Sequence, residues 1–459
     1  MCAAFGVSGA PWQVWLTSPD GAHPLQRSAD LRWQTMPAAE GPSVTVDPAQ
    51  PLQEFLGVGA AMTDASAALI NQRLRGGARR AFLAEIFDAR HGLGLDVMRV
   101  TIGGSDFSQR HYTLDDTDGN TADPSLRSYQ DAPETLEVRA LMREARSVNP
   151  QLRIMASPWS APAWMKSSSS LVGGHLRPQY YAAFADYLLR FADGYAAAGI
   201  PLYALTVQNE PAYEAPDYAS MRLDAADRAR FIIEALGPRL AKRPDGPQLL
   251  EWDHNWTQPG SPLSVLAHPQ AARHVQGVAW HCYGGSPKVQ EWVRAAAPGK
   301  DAYITECSSG DWQKEWPDTF RSMVGTVLID GIRSGARAVL LWNLALDEDH
   351  GPHVGGCKNC RGLVTLGADG SIERHAEYYA LAHIARFVRP GARVIGSTSS
   401  AETIRSVAFA DQARRQVTLV LQNTGTDATD LSLRLGRRSA RLHLEAGTVA
   451  TVSGPAFAL

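Results

Sequence analysis

The amino-acid sequence predicts a (β/α)8 barrel, the TIM-barrel class of α/β protein, with an antiparallel β-sandwich side domain. First, short apolar runs alternate with segments of helical period from about Pro51 to Pro390. Second, this alternation contains eight strand candidates, the number that such a barrel needs. Third, the pattern changes after Pro390 to short strands of alternating polarity separated by turn residues.

Several of the eight strand candidates are almost continuously apolar, as is typical of strands buried on both faces. The candidates are Phe55–Ala61, Val97–Ile102, Arg153–Ser157, Leu202–Val207, Gln248–Trp252, Gly277–His281, Ala302–Glu306 and Ala338–Leu344. An open doubly wound sheet is the alternative, because counting strands does not establish that the sheet closes.

Four helices are predicted from apolar residues spaced three and four apart. Pro178–Ala198 has the clearest pattern and is followed by Gly199, a residue that favours a helix end. Asp224–Ala235 begins with an acidic residue suited to a helix start. Thr319–Ser334 and Ala376–Val388 show the same periodicity.

Both chain ends are predicted to form β-structure. The C-terminal candidates are Arg393–Gly396, Ile404–Ala410, Val417–Gln422, Leu431–Leu435, Ala440–Leu444 and Thr448–Val452, and the N-terminal ones are Gln13–Leu16, Leu31–Thr35 and Ser43–Val46. We expect residues 1–50 to join residues 391–459 in one side domain, with residues 51–390 forming the catalytic barrel.

Composition narrows the possible partners. The 459 residues exceed one ordinary core, and 44 basic and 47 acidic residues are well mixed, giving a net charge of −3. Without a basic stripe, nucleic acid and anionic membranes are not expected partners. No run approaches the ~18 apolar residues of a transmembrane segment, and no signal peptide is visible at the N-terminus. Export and a cytoplasmic location both stay open, as does the oligomeric state.

The cysteines are few and odd in number: Cys2, Cys282, Cys307, Cys357 and Cys360. Three of them stand singly in the sequence, which argues against a disulfide scaffold. For the Cys357–Cys360 pair a structural loop role is preferred, with a local disulfide and a metal site as alternatives.

Polar and aromatic residues stand at the predicted strand ends, where the reacting groups of such barrels lie. They are Trp159, Glu210, His281, Tyr283, Glu306 and Trp342. Aromatic faces cover the apolar face of a sugar ring, and carboxylates bind its hydroxyls, so this composition predicts a carbohydrate site.

Glu210 and Glu306 follow strands four and seven, which are roughly opposite in an eight-stranded ring. Glycosidic cleavage requires one carboxylic acid to protonate the leaving oxygen and a second carboxylate on the other face of the sugar. We therefore expect the pKa of the acid to be raised while the second carboxylate stays ionised.

Seven segments of the barrel region are distinctive: LGVGAAMTDASAALI (56–70), MRVTIGGSDFSQRHYTLDD (98–116), ASPWSAPAWMK (156–166), LTVQNEPAY (205–213), AWHCY (279–283), TECSSG (305–310) and LWNLALDED (341–349). Together they resemble glycoside hydrolase family 30, and within it the glucosylceramidases. The segments occur in order along nearly the whole barrel.

This resemblance implies a role for each matching position. Glu210 corresponds to the acid/base, Glu306 to the nucleophile, and Asn209 to the amide that binds the sugar 2-hydroxyl. The positions implied to bind the inner glucose are Asp106, Trp159 and Trp342, and those expected beside the carboxylates are Arg99, Tyr283 and His281.

The leading interpretation is a retaining β-glucosidase that releases glucose from β-glucosides such as glucosylceramide through a covalent glucosyl-enzyme. The substrate is then a small glycoside or glycolipid, and no metal or organic cofactor is implied. The loop His350–Gly362 departs from the lipid-hydrolysing members after its Gly-Pro-His start. A β-1,6-glucanase or another endo-acting β-glycanase of the same family is therefore the alternative.

Two other classes fit less well. A catalytically silent carbohydrate-binding protein would not need Glu210, Glu306 and Asn209 together. A barrel aldolase would need a lysine at a strand end, and none is predicted there.

Two further interpretations concern neighbouring residues. Asp64 is read as the cap of a helix beginning near Ala65. Trp312 and Trp316 could line outer subsites or pack against a loop, and both readings stay open.

Overall fold

The computed structural model describes residues 11–35 and 41–456. Cys2 and the first ten residues, which belong to the expected 1–50 segment and to the region searched for a signal peptide, lie outside the described residues. So do residues 36–40 and 457–459.

The centre of the molecule is a closed barrel of eight parallel strands. Four N-terminal strands precede it: β1 Gln13–Thr17, β2 Gln26–Arg27, β3 Gln34–Thr35 and β4 Ser43–Glu54. The barrel strands are β5 Gly57–Ala61, β6 Val97–Ile102, β7 Arg153–Pro158, β8 Ala204–Thr206, β9 Gln248–Asn255, β10 Val275–His281, β11 Asp301–Glu306 and β12 Ala336–Leu341. Because β12 pairs with β5, the ring closes, and the open doubly wound sheet is excluded.

Alternate barrel residues fill the interior with apolar side chains, among them Met155, Leu250 and Tyr303. The opposite faces of the strands pack against the surrounding helices in the largest core of the molecule. Both faces are therefore buried, which explains the continuous apolar runs in the sequence.

The helices surround the barrel. They are α1 Asp64–Arg73, α2 Gly77–Phe87, α3 Pro133–Val148, α4 Tyr181–Ala197, α5 Ala225–Phe231, α6 Gly237–Leu240, α7 Gly260–Leu266, α8 Pro269–Ala272, α9 Val289–Ala296, α10 Trp316–Ser322, α11 Gly331–Arg333 and α12 Ala376–Ala385. Short 3-10 turns cover Asp118–Asn120, Ala163–Met165 and Pro178–Tyr180.

Two predicted helices are interrupted by wider π turns. The segment Ile232–Leu236 joins α5 to α6, and Met323–Asp330 joins α10 to α11. A 3.6-residue pattern does not distinguish such turns from a continuous helix.

The reading of Asp64 as a helix cap is wrong. Thr63 occupies the cap position, where its side chain accepts the Ser66 N–H, and Asp64 is the first helical residue. Asp64 is buried and accepts hydrogen bonds from the hydroxyls of Ser108 and Tyr112.

The remaining strands form a small sheet within the barrel segment and a large sheet that makes the side domain. A small sheet holds β13 Ala345–Leu346, β14 Val364–Leu366 and β15 Ile372–Arg374, and the C-terminal strands are β16 Arg393–Ser399, β17 Ile404–Asp411, β18 Gln416–Asn423, β19 Thr429–Leu435, β20 Arg438–Leu444 and β21 Val449–Pro455. Ten strands pair in the order β2-β1-β21-β18-β17-β16-β4-β19-β20-β3, antiparallel except between β4 and β19.

This sheet folds over one core. Val14 near one end of the strand order shares a single apolar cluster with Leu419 in the middle and Leu442 near the other end. The predicted barrel with a β-sandwich side domain is thus confirmed as the fold class.

Candidate active site

The carboxyl ends of the barrel strands bring polar side chains into one buried site. Arg99 lies on β6, His281 ends β10, and Glu306 ends β11. Asn209 and Glu210 follow β8, and the tryptophan Trp342 follows β12. The sequence analysis predicted this convergence, since parallel strands end at the same rim of a barrel.

The two glutamates are close enough to act on one sugar. One oxygen of Glu210, one oxygen of Glu306 and a ring nitrogen of His281 all lie within 4.8 Å of one another. Carboxyl groups about 5–5.5 Å apart suit direct attack by one of them, whereas a water molecule between them needs a wider gap. This geometry is that of a double displacement.

Glu306 contacts a guanidinium and a phenol. The Arg99 guanidinium forms a short ion pair with Glu306 Oε2, and the Tyr283 hydroxyl donates to Glu306 Oε1 at 2.8 Å. Arg99 is completely buried, so little solvent screens its charge. Arg99 Nη2 also donates to Asn209 Oδ1 at 2.8 Å, which leaves the Asn209 amide hydrogens available for another acceptor.

Glu210 faces two histidines. Its Oε1 lies 3.0 Å from His281 Nδ1 and 3.7 Å from His254 Nε2. Its backbone is left-handed with φ of 46°, and its N–H donates to the carbonyl of Asp253 at 3.0 Å. An L-residue seldom adopts this conformation, so the surrounding bonds impose it.

The electrostatics of Glu210 differ from the expectation. Burial raises the pKa of Glu210, but the hydrogen bond and positive charge of His281 outweigh it, so that the pKa lies below its usual value. For His281, burial lowers the pKa, but the charge of Glu306 and the bonds to Asp253 and Glu210 raise it to about 9. The expected raised pKa of the acid is therefore wrong for the free site, because the proton rests on the neighbouring imidazole.

Asp253 was missed by the sequence analysis. It is completely buried and accepts from side chains on five strands: Arg99, Ser157, Thr206, His281 and Thr305. Burial raises the pKa of Asp253, but Arg99 and the hydrogen bonds from His281 and Thr305 outweigh it and hold the pKa well below its usual range. Asp253 is thus a permanent anion at the centre of the site.

His254 was also missed. The pairing of β9 with β10 shifts register in this region, and Trp252 and Asp253 have left-handed φ of 79° and 56°. The irregularity turns consecutive side chains toward the site, which a regular strand would not do. Burial lowers the pKa of His254 to about 4, so this imidazole is neutral beside Glu210.

Two tryptophans and an aspartate form one wall of the candidate active site. Trp159 and Trp342 stack with ring centroids 5.1 Å apart, and the Arg99 guanidinium lies 4.8 Å from the Trp159 ring. Burial and the charges of Glu306 and Glu210 raise the pKa of Asp106 to about 8, so it is a neutral acid at neutral pH.

The loop between β13 and β14 lies against Asp106. The Val354 N–H donates to the Asp106 carbonyl at 2.7 Å, and Gly356 has φ of 68° with no room for a side chain, since a Cβ would lie 2.5 Å from Asp106 Cβ. The Gly356 N–H also points to the carboxylate of Asp217. Glycine is thus required for this close approach.

Two disulfides correct the reading of the cysteines. Cys282 bonds to Cys307, and Cys357 bonds to Cys360. The isolation of Cys282 and Cys307 in the sequence was misleading, because they follow the ends of β10 and β11, which are neighbours in the barrel. For Cys357 and Cys360 the local disulfide, an alternative reading, is the one present.

The two tryptophans after β11 differ. Trp316 is partly buried, stacked on Phe320 with ring centroids 4.6 Å apart and packed against Gly21. Trp312 has 53% of its surface exposed. Tyr283 and Tyr213, which follow the site strands closely, are also exposed.

Glu210, His281 and Glu306 could also be considered as metal ligands. Both His281 nitrogens face carboxylates, however, and Arg99 already neutralises Glu306. A divalent cation there would lie beside a buried guanidinium, which Coulomb repulsion disfavours. Within residues 11–35 and 41–456, no helix is both long and apolar enough to cross a membrane.

Comparison with known proteins connects this geometry to a family. The glycosyl hydrolase family 30 TIM-barrel domain matches residues 55–388, and the beta sandwich domain of the same family matches residues 391–452. The Endo-1,6-beta-D-glucanase of Neurospora crassa is 32% identical over 403 residues, covering 84% of this chain and 82% of that protein.

Two further proteins are similar. The Lysosomal acid glucosylceramidase of Mus musculus is 25% identical over 410 residues, covering 84% of this chain and 78% of that protein. A solved endo-beta1,6-glucanase structure has 27% sequence identity and a TM-score of 0.89, covering 97% of this chain and all (100%) of that one.

Proposed function

This chain belongs to glycosyl hydrolase family 30 and is a retaining glycoside hydrolase, and we propose that it cleaves β-1,6-linked glucan within the polymer chain. The observation on which this rests is the 32% identity to a fungal endo-1,6-β-glucanase over most of both chains. The alternative reading of the sequence therefore has better support than glucose release from glucosylceramide, for which the mouse enzyme is 25% identical.

The exposed aromatic residues support a polymeric substrate. Tyr213, Tyr283 and Trp312 have between 44% and 53% of their surfaces exposed and follow strands whose ends form the site. Aromatic faces bind the apolar faces of successive glucose rings. We propose that they bind the glucan on the leaving-group side.

In the proposed mechanism Glu306 is the nucleophile. An oxygen of its carboxylate forms a bond to the anomeric carbon while the glycosidic bond breaks, and Glu210 gives a proton to the departing oxygen. Glu210 then takes a proton from water, which attacks the same carbon and releases Glu306. The amide of Asn209, oriented by Arg99, donates to the sugar 2-hydroxyl as charge develops.

The other site residues complete the inner subsite. We propose that Asp106 binds sugar hydroxyls and that Trp159 and Trp342 form the wall against which the ring lies. Tyr283 and Arg99 keep Glu306 ionised until attack, and His281 acts on Glu210.

We also propose a division of labour between the domains. Residues 51–390 form the catalytic barrel, and residues 1–50 and 391–459 form one supporting domain. The pairing of β1 with β21 and of β4 with β16 supports this division.

Product analysis tests the substrate. Incubation with β-1,6-glucan should give a ladder of β-1,6-linked oligosaccharides early in the reaction. Release of glucose alone from chain ends, or preference for glucosylceramide over the glucan, would reject the proposal in favour of the glucosylceramidase reading.

A variant tests the nucleophile separately. Glu306→Gly should lose turnover of an aryl β-gentiobioside (β-1,6-linked glucobioside) and regain it with azide, forming the α-glycosyl azide. Glu402→Gly, a change of the same kind at an exposed position in the side domain, should retain full activity. Ordinary activity of Glu306→Gly would overturn the assignment.

A further inference from the structure

His281 lies between two carboxylates. Its Nδ1 is 3.0 Å from Glu210 Oε1, and its Nε2 is 3.1 Å from Asp253 Oδ1. The imidazole is completely buried. Each ring nitrogen therefore has one carboxylate as its hydrogen-bond partner.

Proton counting constrains this chain of contacts. Asp253 is held as an anion, so it can only accept, and Nε2 must bear a hydrogen. A neutral imidazole then presents a lone pair at Nδ1, which would face a lone pair of ionised Glu210. The 3.0 Å contact thus requires one more proton, shared between Nδ1 and Glu210 Oε1.

The charges around the ring place that proton on the imidazole in the free site. Glu306 Oε1 lies 3.8 Å from Nδ1, and its charge contributes, with Asp253 and Glu210, to a pKa of about 9 for His281. The remaining neighbours do not reverse this. The ring of His254 is neutral, and Tyr283, with its ring centroid 6.0 Å away, donates its hydrogen to Glu306.

We propose that His281 stores the proton that Glu210 delivers to the leaving oxygen. This inference rests on the proposed roles of Glu210 and Glu306. In the first step the proton moves from His281 Nδ1 to Glu210 and on to the glycosidic oxygen, which takes the electron pair of the broken bond. Glu306 becomes an ester, and His281 is left neutral beside ionised Glu210.

The second step returns a proton to His281. Water attacks the anomeric carbon, its proton passes to Glu210 and then to His281 Nδ1, and Glu306 leaves with the electron pair of the ester bond. The charge of Glu306 controls the direction of transfer. It disappears when the ester forms, which releases the proton from His281, and it returns when the ester is hydrolysed, which recaptures it.

Leaving-group dependence tests this role. His281→Gln preserves a polar side chain but cannot hold the proton. Its kcat/KM should fall by ~10²-fold or more on gentiotriose, whose leaving group needs a proton, and much less on 2,4-dinitrophenyl β-gentiobioside, whose leaving group does not. In the natural enzyme the fall of kcat/KM at alkaline pH is set by the His281–Glu210 pair near pH 9. In His281→Gln this fall should move to lower pH.

His383→Gln is the matched control, since His383 is another fully buried histidine but contacts Thr17 and Thr451 of the side domain. It should leave the leaving-group dependence unchanged. If kcat/KM of His281→Gln falls equally on both substrates and its alkaline limb does not move, His281 has only a structural role and the inference is overturned.

A second measurement uses the unmodified sequence and stays decisive if the variant does not fold. In protein labelled with nitrogen-15 at histidine, NMR at pH 8 should show a buried imidazolium that becomes neutral when a 2-deoxy-2-fluoro glycoside traps the ester. An unchanged spectrum of the trapped form would reject proton storage. The azide test of Glu306→Gly, run on 2,4-dinitrophenyl β-gentiobioside, does not need this proton, so failure of either proposal is recognisable separately.

Discussion

Cys282 and Cys307 are joined by a disulfide, and they follow His281 and Glu306 directly in the sequence. The bond therefore connects the end of β10 to the end of β11. The same two strand ends place the Tyr283 hydroxyl 2.8 Å from Glu306 Oε1. The covalent link and this hydrogen bond fix the nucleophile relative to its neighbours.

Loss of this disulfide should lower both stability and turnover. A disulfide closing a loop of this size, 25 residues, stabilises a fold by roughly 3 kcal/mol in the chain-entropy account. Cys282→Ala/Cys307→Ala should melt several degrees lower and show a reduced kcat with KM nearly unchanged. Calorimetry and steady-state kinetics measure the two effects.

The second disulfide supplies a control. Cys357→Ala/Cys360→Ala removes a bond that closes a loop only three residues apart in sequence, so its melting temperature should change less. A Cys282→Ala/Cys307→Ala variant as stable and as active as the natural enzyme would contradict the prediction.

Asp253 should be among the most sensitive positions of the chain. Asp253→Asn leaves the buried Arg99 with one carboxylate partner fewer and points an amide donor at groups that already donate. Breaking a buried ion pair costs roughly 3–5 kcal/mol, so denaturant titration should show a loss of that order together with strongly reduced kcat.

Asp186→Asn is a suitable comparison. Asp186 accepts from Arg239 at 2.7 Å, a distance like that of the Arg99–Asp253 pair, but its side chain is 54% exposed. Exposed pairs contribute ~1 kcal/mol or less. Equal stability losses in the two variants would show that burial does not determine the importance of Asp253.

Much of this arrangement was predictable from sequence. Strand ends in a parallel barrel share one rim, so Glu210, His281 and Glu306 could be placed together without any contact information. The helix and strand types followed from periodicity, and the errors were mainly at element ends, as for β12, predicted at 338–344 and found at Ala336–Leu341.

The missed residues share a physical cause. The fifth barrel strand was predicted to end at Trp252, whereas β9 continues through an irregularity to Asn255 and turns Asp253 and His254 toward the site. The left-handed backbone at Trp252 and Asp253 is imposed by tertiary interactions, and neither residue type predicts it from sequence. The pKa of Glu210 likewise depends on an imidazole from another strand.

A further signal was present for the Cys282–Cys307 bond. Each cysteine follows a residue predicted to end strand six or strand seven, and consecutive strands are neighbours in such a barrel. Adjacency in the fold, rather than spacing along the chain, would have identified the pair.

Gly356→Ala should weaken substrate binding. The added Cβ would lie 2.5 Å from Asp106 Cβ, so the loop or Asp106 must move away from the inner subsite. Overpacking costs roughly 1–3 kcal/mol. We expect KM to rise by about tenfold, the equivalent of ~1.4 kcal/mol, with a smaller change in kcat.

Gly119→Ala separates this clash from backbone strain. Gly119 has φ of 58°, similar to the 68° of Gly356, but a Cβ there would meet nothing within 4 Å. Gly119→Ala should lower the free energy of unfolding by about 1–2 kcal/mol, because an L-residue is strained in the left-handed region, and its KM should be unchanged. If both glycine variants bind substrate normally, the loop does not shape the subsite.

The contact between the barrel and the side domain should weaken in acid through His383. This α12 residue is completely buried, and its Nδ1 lies 2.9 Å from Thr451 Oγ1 on β21 while its Nε2 lies 2.7 Å from Thr17 Oγ1 on β1. Thr451 donates its own hydrogen to the His383 carbonyl, and therefore accepts from Nδ1. The imidazole is thus neutral, with its hydrogen on Nδ1 and a lone pair at Nε2.

Burial lowers the pKa of His383 from 6.5 to about 3. The unfolded chain binds a proton near pH 6.5 and the folded one does not, so this stability is present above pH 6.5 and lost as the pH falls toward 3. At ~1.4 kcal/mol per unit, the full loss is roughly 3–5 kcal/mol. His383→Gln cannot titrate, so the difference between its free energy of unfolding and that of the natural enzyme should shrink steadily in denaturant titrations from pH 7 to pH 4. A difference that is constant over this range would mean that the His383 imidazole does not sense pH in the fold.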